Sequence, residues 1–213
     1  MTEFNLQRTT DVLLVVDVQR DFMPGGALSV PDGDAVLPAI NRLLDRFTHA
    51  VATQDSHPRG HTSFASSHPG TKPFETVMLS YGEQRLWPDH CVHGTAGICF
   101  HPDLDLRKAE MIIRKGFDRE IDSYSGFREN DRKTPTGLNG YLRERGFRRV
   151  FIAGLARDYC VQFTAEDGLE LGYQVVVIED ACRPIDAVAA AVGHSALLAR
   201  GARSISSAEL LGS

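Results

Sequence analysis

The run Val150-Phe-Ile-Ala-Gly-Leu-Ala-Arg-Asp-Tyr-Cys-Val161 reads as a buried strand, a short turn and the start of a helix. Val150 to Ala153 is apolar without alternation, the pattern of a strand covered on both faces. Gly154 breaks the run, and the segment from Val161 to Leu171 continues a helix opened near Asp158 and closed by Gly172. The turn delivers Cys160 to a helix N-terminus, where aligned peptide dipoles favour a thiolate. Cysteine is often only a small buried hydrophobe. Three others stand at 91, 99 and 182, so position rather than scarcity singles this one out.

Working outward, the same alternation recurs. Val12–Val18 predicts a first strand, Asp34–Phe47 a helix with Val36, Leu37, Ile40, Leu43, Leu44 and Phe47 on one face, and Ala50–Thr53 a second strand. Met111–Ile113 forms the core of a third, Thr136–Arg145 a helix closed by Gly146, and Arg149–Ala153 the fourth strand. Gln174–Ile178 is a fifth, Ile185–Leu198 a helix closed near Gly201, and Arg203–Ile205 a short last strand. Apolar strands separated by helices imply an α/β fold, an open and mostly parallel sheet of about six strands with helices on both faces.

With 213 residues the chain suits a single domain. A net charge of -5 without a long basic run argues against a nucleic-acid surface. No apolar stretch approaches the roughly 18 residues of a membrane span. The start, Met1-Thr-Glu-Phe-Asn-Leu-Gln-Arg8, has no apolar signal core, and no CxxC pair occurs. Reduced thiols and a cytoplasmic location are therefore expected.

Two stretches interrupt the alternation. Residues 55–105 are rich in His, Pro, Gly and Ser, and residues 116–135 form a polar loop. Loops of this length are usually functional or disordered. The first carries Phe64, Phe74, Leu79, Leu86, Trp87 and Phe100, too many large apolar side chains for disorder, and is expected to be an ordered excursion that builds a site.

Open parallel sheets bind ligands outside the carboxyl ends of their strands. The first four strands lead there to Asp17, Asp55, Lys115 and Cys160. Singly, a strand-end lysine is commonly solvated and a loop aspartate commonly ties a turn. Together, Asp17, Lys115 and Cys160 suit thiol catalysis. A carboxylate takes the thiol proton, burial raises its basicity, and the lysine offsets that effect and orients it. Backbone N–H groups of the turn into the helix are placed to receive an oxyanion. This set predicts acyl transfer, most simply amide hydrolysis. Asp55, His57 and His61, with His90, form a second set. One carboxylate with two or three imidazoles suits zinc, iron or manganese. His68, His93 and His101 are expected to be loop or surface residues.

These residues lie in segments that resemble nicotinamidases of the isochorismatase-like cysteine hydrolase superfamily. The segments begin Val16-Asp-Val-Gln-Arg-Asp-Phe, Thr53-Gln-Asp-Ser-His, Leu86-Trp-Pro-Asp-His-Cys-Val, Arg114-Lys-Gly, Asp122-Ser-Tyr-Ser-Gly-Phe and Gly154-Leu-Ala-Arg-Asp-Tyr-Cys-Val. They span nearly the whole chain in the family's order. The resemblance implies one isochorismatase-like domain over 1–213, a Rossmann-like three-layer fold. It implies hydrolysis of nicotinamide to nicotinate and ammonia through a cysteine thioester, in pyridine-nucleotide salvage, with pyrazinamide a further substrate.

By the same resemblance Asp17 is the general base, Lys115 its partner and Cys160 the nucleophile. Asp55, His57 and His90 are ligands of one divalent metal, zinc or else iron or manganese, which holds the pyridine nitrogen. His61 falls where only some members use a further ligand. A cis Leu155–Ala156 bond would aim the N–H groups of Ala156 and Cys160 at the oxyanion. Phe22, Trp87 and Tyr124 would wall the pyridine ring, and Gln19 would orient Asp17. The partner implied is the small-molecule substrate, with neither nucleic acid nor membrane, and a homo-oligomer is compatible with the reading.

Two departures stand out. Arg157 replaces a common Thr and is expected to point away from the thiol. Ser56 replaces a common aromatic residue, with looser local packing as the expected result. The nearest rival is a related cysteine amidase acting on a carbamoyl or ureido substrate, a group that generally lacks the metal set. A non-catalytic binding protein on the same scaffold is the rival from another class.

Overall fold

A computed structural model describes residues 5–211. Met1–Phe4, half of the N-terminal stretch read above, and the last two residues lie outside it. The strands are β1 (Asp11–Val16), β2 (Ala50–Asp55), β3 (Thr76–Leu79), β4 (Gly82–Arg85), β5 (Ala109–Lys115), β6 (Arg149–Leu155), β7 (Gln174–Arg183) and β8 (Arg203–Ile205). The helices are α1 (Leu37–Arg46), α2 (Leu138–Glu144), α3 (Cys160–Glu170), α4 (Ala187–Ala199) and α5 (Ala208–Leu211).

Six strands form one sheet in the order β5-β2-β1-β6-β7-β8, every pair parallel. The chain winds from β1 through β2 to β5, then restarts at β6 on the other side of β1. The topological switch therefore lies between β1 and β6, where an open sheet leaves a crevice at its carboxyl edge.

The continuous apolar run of β1 is explained by cover on both faces. Leu13 and Val15 pack with Ile40, Leu43 and Leu44 of α1 and Leu210 of α5. Val12, Leu14 and Val16 face the other way, into a core with Leu138 of α2, Val161 of α3 and Leu197 of α4. All five residues from Val12 to Val16 are fully buried. Each such side chain contributes about 1.5–3 kcal/mol relative to exposure. Local signals agree with the packing. Pro38 stands in the first turn of α1, where its missing N–H is not needed. The Asp186 carboxylate caps α4 by accepting from Val188 and Ala189 N–H, worth about 1 kcal/mol.

The differences from the sequence reading have local causes. β1 stops at Val16, because Asp17 takes a left-handed φ of 49° and leaves the ladder. The predicted helix from Asp34 divides into a 3-10 turn, Gly33–Val36, and α1. β2 reaches Asp55, and β7 runs to Arg183, beyond Ile178, through the polar pair Glu179-Asp180. The antiparallel β3–β4 hairpin and α5 lack apolar runs long enough to announce them. Gly154 has φ 125°, and a Cβ there would lie 2.1 Å from the Val16 carbonyl oxygen. Only glycine lets β6 approach β1 this closely at the switch. Among the described residues no helix is long and apolar enough to cross a membrane.

Candidate active site

Register carries the chemistry to the sheet edge. Asp55 and Lys115 pair at the ends of β2 and β5. Asp17 follows β1, and Cys160 is the first residue of α3, reached from β6 through a four-residue turn. Lys115 is fully buried, and its Nζ lies 2.9 Å from Asp17 Oδ2, 2.9 Å from Asp55 Oδ1 and 3.4 Å from Cys160 Sγ. It also donates to the Ser123 carbonyl at 3.0 Å. Thr53, two residues before Asp55, donates its hydroxyl to Asp17 Oδ1 at 2.6 Å and accepts the Asp17 N–H at 3.2 Å. The three residues expected as a triad are therefore in mutual contact through one ammonium.

Burial sets their protonation. It pushes Asp17 up, Lys115 opposes this in part, Asp55 adds to it, and the carboxyl ends above its ordinary value. Burial pulls Lys115 down, but Asp17 and Asp55 overcome it and hold the ammonium well above its usual range. Burial raises Cys160, Lys115 lowers it, and Asp17 and Asp55 raise it again, so the thiol lies well above its ordinary value. The activation expected from the helix N-terminus is thus outweighed by desolvation and two carboxylates. The resting group is a thiol beside a strengthened base, and the proton must be removed during attack.

Asp55 turns its second oxygen toward two imidazoles. His57 Nε2 lies 3.0 Å and His90 Nε2 3.1 Å from Asp55 Oδ2. The other ring nitrogens face main-chain carbonyls, His57 Nδ1 that of Gly116 at 3.0 Å and His90 Nδ1 that of Pro88 at 2.8 Å. A carbonyl only accepts, so these contacts assign the proton of each neutral ring to Nδ1 and leave Nε2 with a lone pair. Two lone pairs and a carboxylate oxygen then converge, an arrangement that calls for a cation. The backbone carbonyls behind the rings are the usual outer partners of metal-binding histidines. All three residues are buried, with donor atoms within 4.8 Å of one another. The donor set fits a divalent metal. Gly116 enforces part of this geometry, since a Cβ there would lie 2.4 Å from His57 Cε1.

Beside both sets lies a cavity lined by Phe22, Trp87, Tyr124, Tyr159, Asp55 and His90, together with Cys160 and Ala156. Trp87, Tyr124 and Tyr159 meet edge to face, with ring centroids 4.8–6.1 Å apart. Phe22 packs edge-on against His90 at 5.6 Å. The Leu155–Ala156 peptide is cis. Neither the Ala156 nor the Cys160 N–H donates a hydrogen bond among the described residues.

Several expectations need correction. The Gln19 side chain does not bond Asp17; only its main-chain N–H does, donating to the Asp17 carbonyl at 2.8 Å. The side-chain amide accepts the Asp55 N–H at 2.8 Å and donates to the carbonyls of Asp55 and Ile98 at 2.8 and 2.9 Å, and it lies fully buried outside the cavity lining. It thereby braces the main chain of Asp55 at the end of β2. His61, His57 and Asp122 form a second buried group of ligand-type atoms. Both His61 nitrogens are already used, however: Nε2 faces the Asp118 carbonyl at 2.9 Å, and Nδ1 faces Ser63 Oγ at 2.7 Å and the Ser63 N–H at 3.2 Å. A metal held by His61 would have to displace one of these contacts. Ser56 does not loosen its surroundings, being fully buried with its Oγ 2.8 Å from His93 Nε2. Arg157 does turn away from the thiol, its guanidinium bridging Glu179 at 2.8 and 3.0 Å and Gln162 at 2.9 Å. Reading by strand ends missed Thr53, Asp122, Ser123 and Tyr159. All four lie in the segments that carry the family resemblance, which marks them without giving their roles.

The Isochorismatase domain family matches residues 11–209. The nicotinamidase of Acinetobacter baylyi is 50% identical over 214 residues, covering 99% of this chain and 100% of its own. A solved Acinetobacter baumannii nicotinamidase/pyrazinamidase superposes with a TM-score of 0.94 at 49% identity, over 97% of this chain and 100% of that one. The pyrazinamidase of Pyrococcus horikoshii, solved in complex with zinc, gives 0.77 at 36% identity, over 92% and 98%. On the fold, the sheet-edge cluster and these likenesses, the chain belongs to the isochorismatase-domain family, in the group that holds these nicotinamidases.

Proposed function

We propose that this chain is an amidohydrolase that converts nicotinamide to nicotinate and ammonia, and accepts pyrazinamide. The observation that carries the reading is the pairing of a buried Cys160–Lys115–Asp17 contact with an Asp55–His57–His90 set across one aromatic-walled cavity. The likeness to curated nicotinamidases narrows the substrate. Asp17 takes the Cys160 proton as sulfur attacks the carboxamide carbon, and Lys115 keeps the carboxylate charge balanced. The N–H groups of Ala156 and Cys160 receive the developing oxyanion. Asp17 returns the proton to the departing nitrogen, so ammonia leaves and an acyl thioester remains. Asp17 then takes a proton from water as it adds to the thioester, and passes it to sulfur as the acid is released.

Asp55, His57 and His90 would hold one divalent ion, read here as zinc, which supplies a Lewis acid for the pyridine nitrogen. Phe22, Trp87 and Tyr124 wall the ring. A coupled ammonia assay across nicotinamide, pyrazinamide and an N-carbamoyl compound, with metal analysis of the same sample, tests the reading. Turnover of the two aromatic amides with about one metal per chain is expected. Chelation and dialysis should remove it, with zinc, iron or manganese restoring it. Preference for the carbamoyl compound, or full activity without metal, would refute it.

A further inference from the structure

The β3–β4 hairpin is largely exposed, yet Gln84 on its inner side is only 1% exposed. Glutamine is rarely buried so completely without fixed partners. Its Oε1 accepts from the Tyr81 hydroxyl at 3.1 Å and from Asn130 Nδ2 at 3.2 Å. Its Nε2 faces Asp122 Oδ2 at 2.7 Å, the Arg85 carbonyl at 2.7 Å and the Tyr124 hydroxyl at 3.0 Å. The donors on one side and the carboxylate and carbonyl on the other fix which end of the amide is which. Asp122 and Tyr124 both line the cavity. The Tyr124 oxygen also receives Trp87 Nε1–H at 3.2 Å.

We propose that Gln84 is a positioning residue that sets the aromatic wall of the substrate pocket, so that the hairpin governs how tightly the ring is held. The proposal rests on the nicotinamide reading above. Trp87 and Gln84 together hold the phenol oxygen, and Gln84 holds the neighbouring carboxylate. Tyr124 is thereby pinned edge-on to Trp87 and Tyr159. Losing Gln84 frees the Tyr124 ring and leaves Asp122 short of a donor, while Cys160, Asp17 and Lys115 on the sheet edge keep their contacts. Binding should therefore suffer more than chemistry.

Steady-state ammonia release from nicotinamide by the metal-loaded enzyme separates the two. Gln84→Met removes the amide at nearly constant length. Gln84→Glu keeps an acceptor but places a second carboxylate against Asp122. The expected result is a rise in KM of about three- to tenfold for Gln84→Met, the worth of one lost hydrogen bond. A larger rise is expected for Gln84→Glu, with kcat within about twofold in both. Because Gln84 acts through the phenol oxygen, adding Gln84→Met to Tyr124→Phe should raise KM little further. Gln84→Asn, which retains both amide ends, should restore part of the loss. Thermal melts identify a variant that fails to fold. If either Met or Glu fails, the other and Gln84→Asn decide the question. An unchanged KM in a folded variant, a fall confined to kcat, or fully additive KM effects with Tyr124→Phe would overturn the proposal. A wild-type enzyme inert toward nicotinamide would instead overturn the substrate reading.

Discussion

Asp55 and Lys115 are placed by strand register at one edge of the sheet, and Asp17 stands just past the end of β1 beside them. Across the cavity Trp87, Tyr124 and His90 are placed by loops, through side-chain and carbonyl hydrogen bonds. The first region inherits its geometry from the parallel backbone ladder that joins β1, β2 and β5. The second depends on single polar contacts, each worth about 1 kcal/mol. Damage to the edge should therefore be abrupt and damage to the walls graded.

The largest effect expected is that of Cys160→Ala, with nicotinamide turnover falling at least ~10³-fold. A thermal melt should show little change, since the side chain removed is small. Residual activity within about tenfold of wild type would break the assignment of the nucleophile. Gly154→Ala attacks the same edge through the backbone. Its Cβ would meet the Val16 carbonyl at 2.1 Å in a backbone conformation that side chains rarely adopt. A loss of about 3 kcal/mol or more in a urea titration is expected. A loss below about 1 kcal/mol would show that β1 and β6 relax apart easily and that the edge is less rigid than its register implies.

The smallest effect sits behind the catalytic turn. Burial raises the Glu179 carboxyl, but the hydrogen bonds and charge of Arg157, with His194, overcome it and hold it below its ordinary value. A depressed carboxyl stabilises the fold above its unfolded value, near 4.5, and that contribution fades as pH falls through the lower folded value. The melting-temperature gap between wild type and Glu179→Gln should be widest near neutrality and narrow below about pH 4.5. A gap independent of pH would mean that shape rather than charge joins Arg157 to β7.

The same contrast explains what could be read from residues alone. Buried parallel strands advertise themselves as apolar runs, and a polar residue ending such a run, as Asp17 does, is conspicuous. Once four strands are known to be parallel, their ends share an edge, so the meeting of Asp17, Asp55, Lys115 and Cys160 follows from topology. Gln84 and Asp122 carry no such mark. Each is one polar residue in an irregular or short polar segment, and its importance lies in partners up to 46 residues away. Gln19 shows the intermediate case. Its place two residues after Asp17 is plain in the sequence, but that its side chain braces Asp55 instead follows only from how the loop after β1 turns. His61 has a ligand's chemistry and spacing, and its nitrogens face Ser63 and the Asp118 carbonyl, partners that spacing alone does not announce.

Asp55 divides its two oxygens between the centres, Oδ1 to Lys115 and Oδ2 to His57 and His90. The two halves of the site are therefore not separate modules that could be exchanged or tuned one at a time. A change in charge on the imidazole side alters how strongly the carboxylate holds the ammonium, and so how much of that ammonium is left for Asp17 and the thiol. Substituting Asp55 removes a ligand and unbalances the nucleophile in one stroke. Its phenotype is a compound one that no chelation experiment alone reproduces.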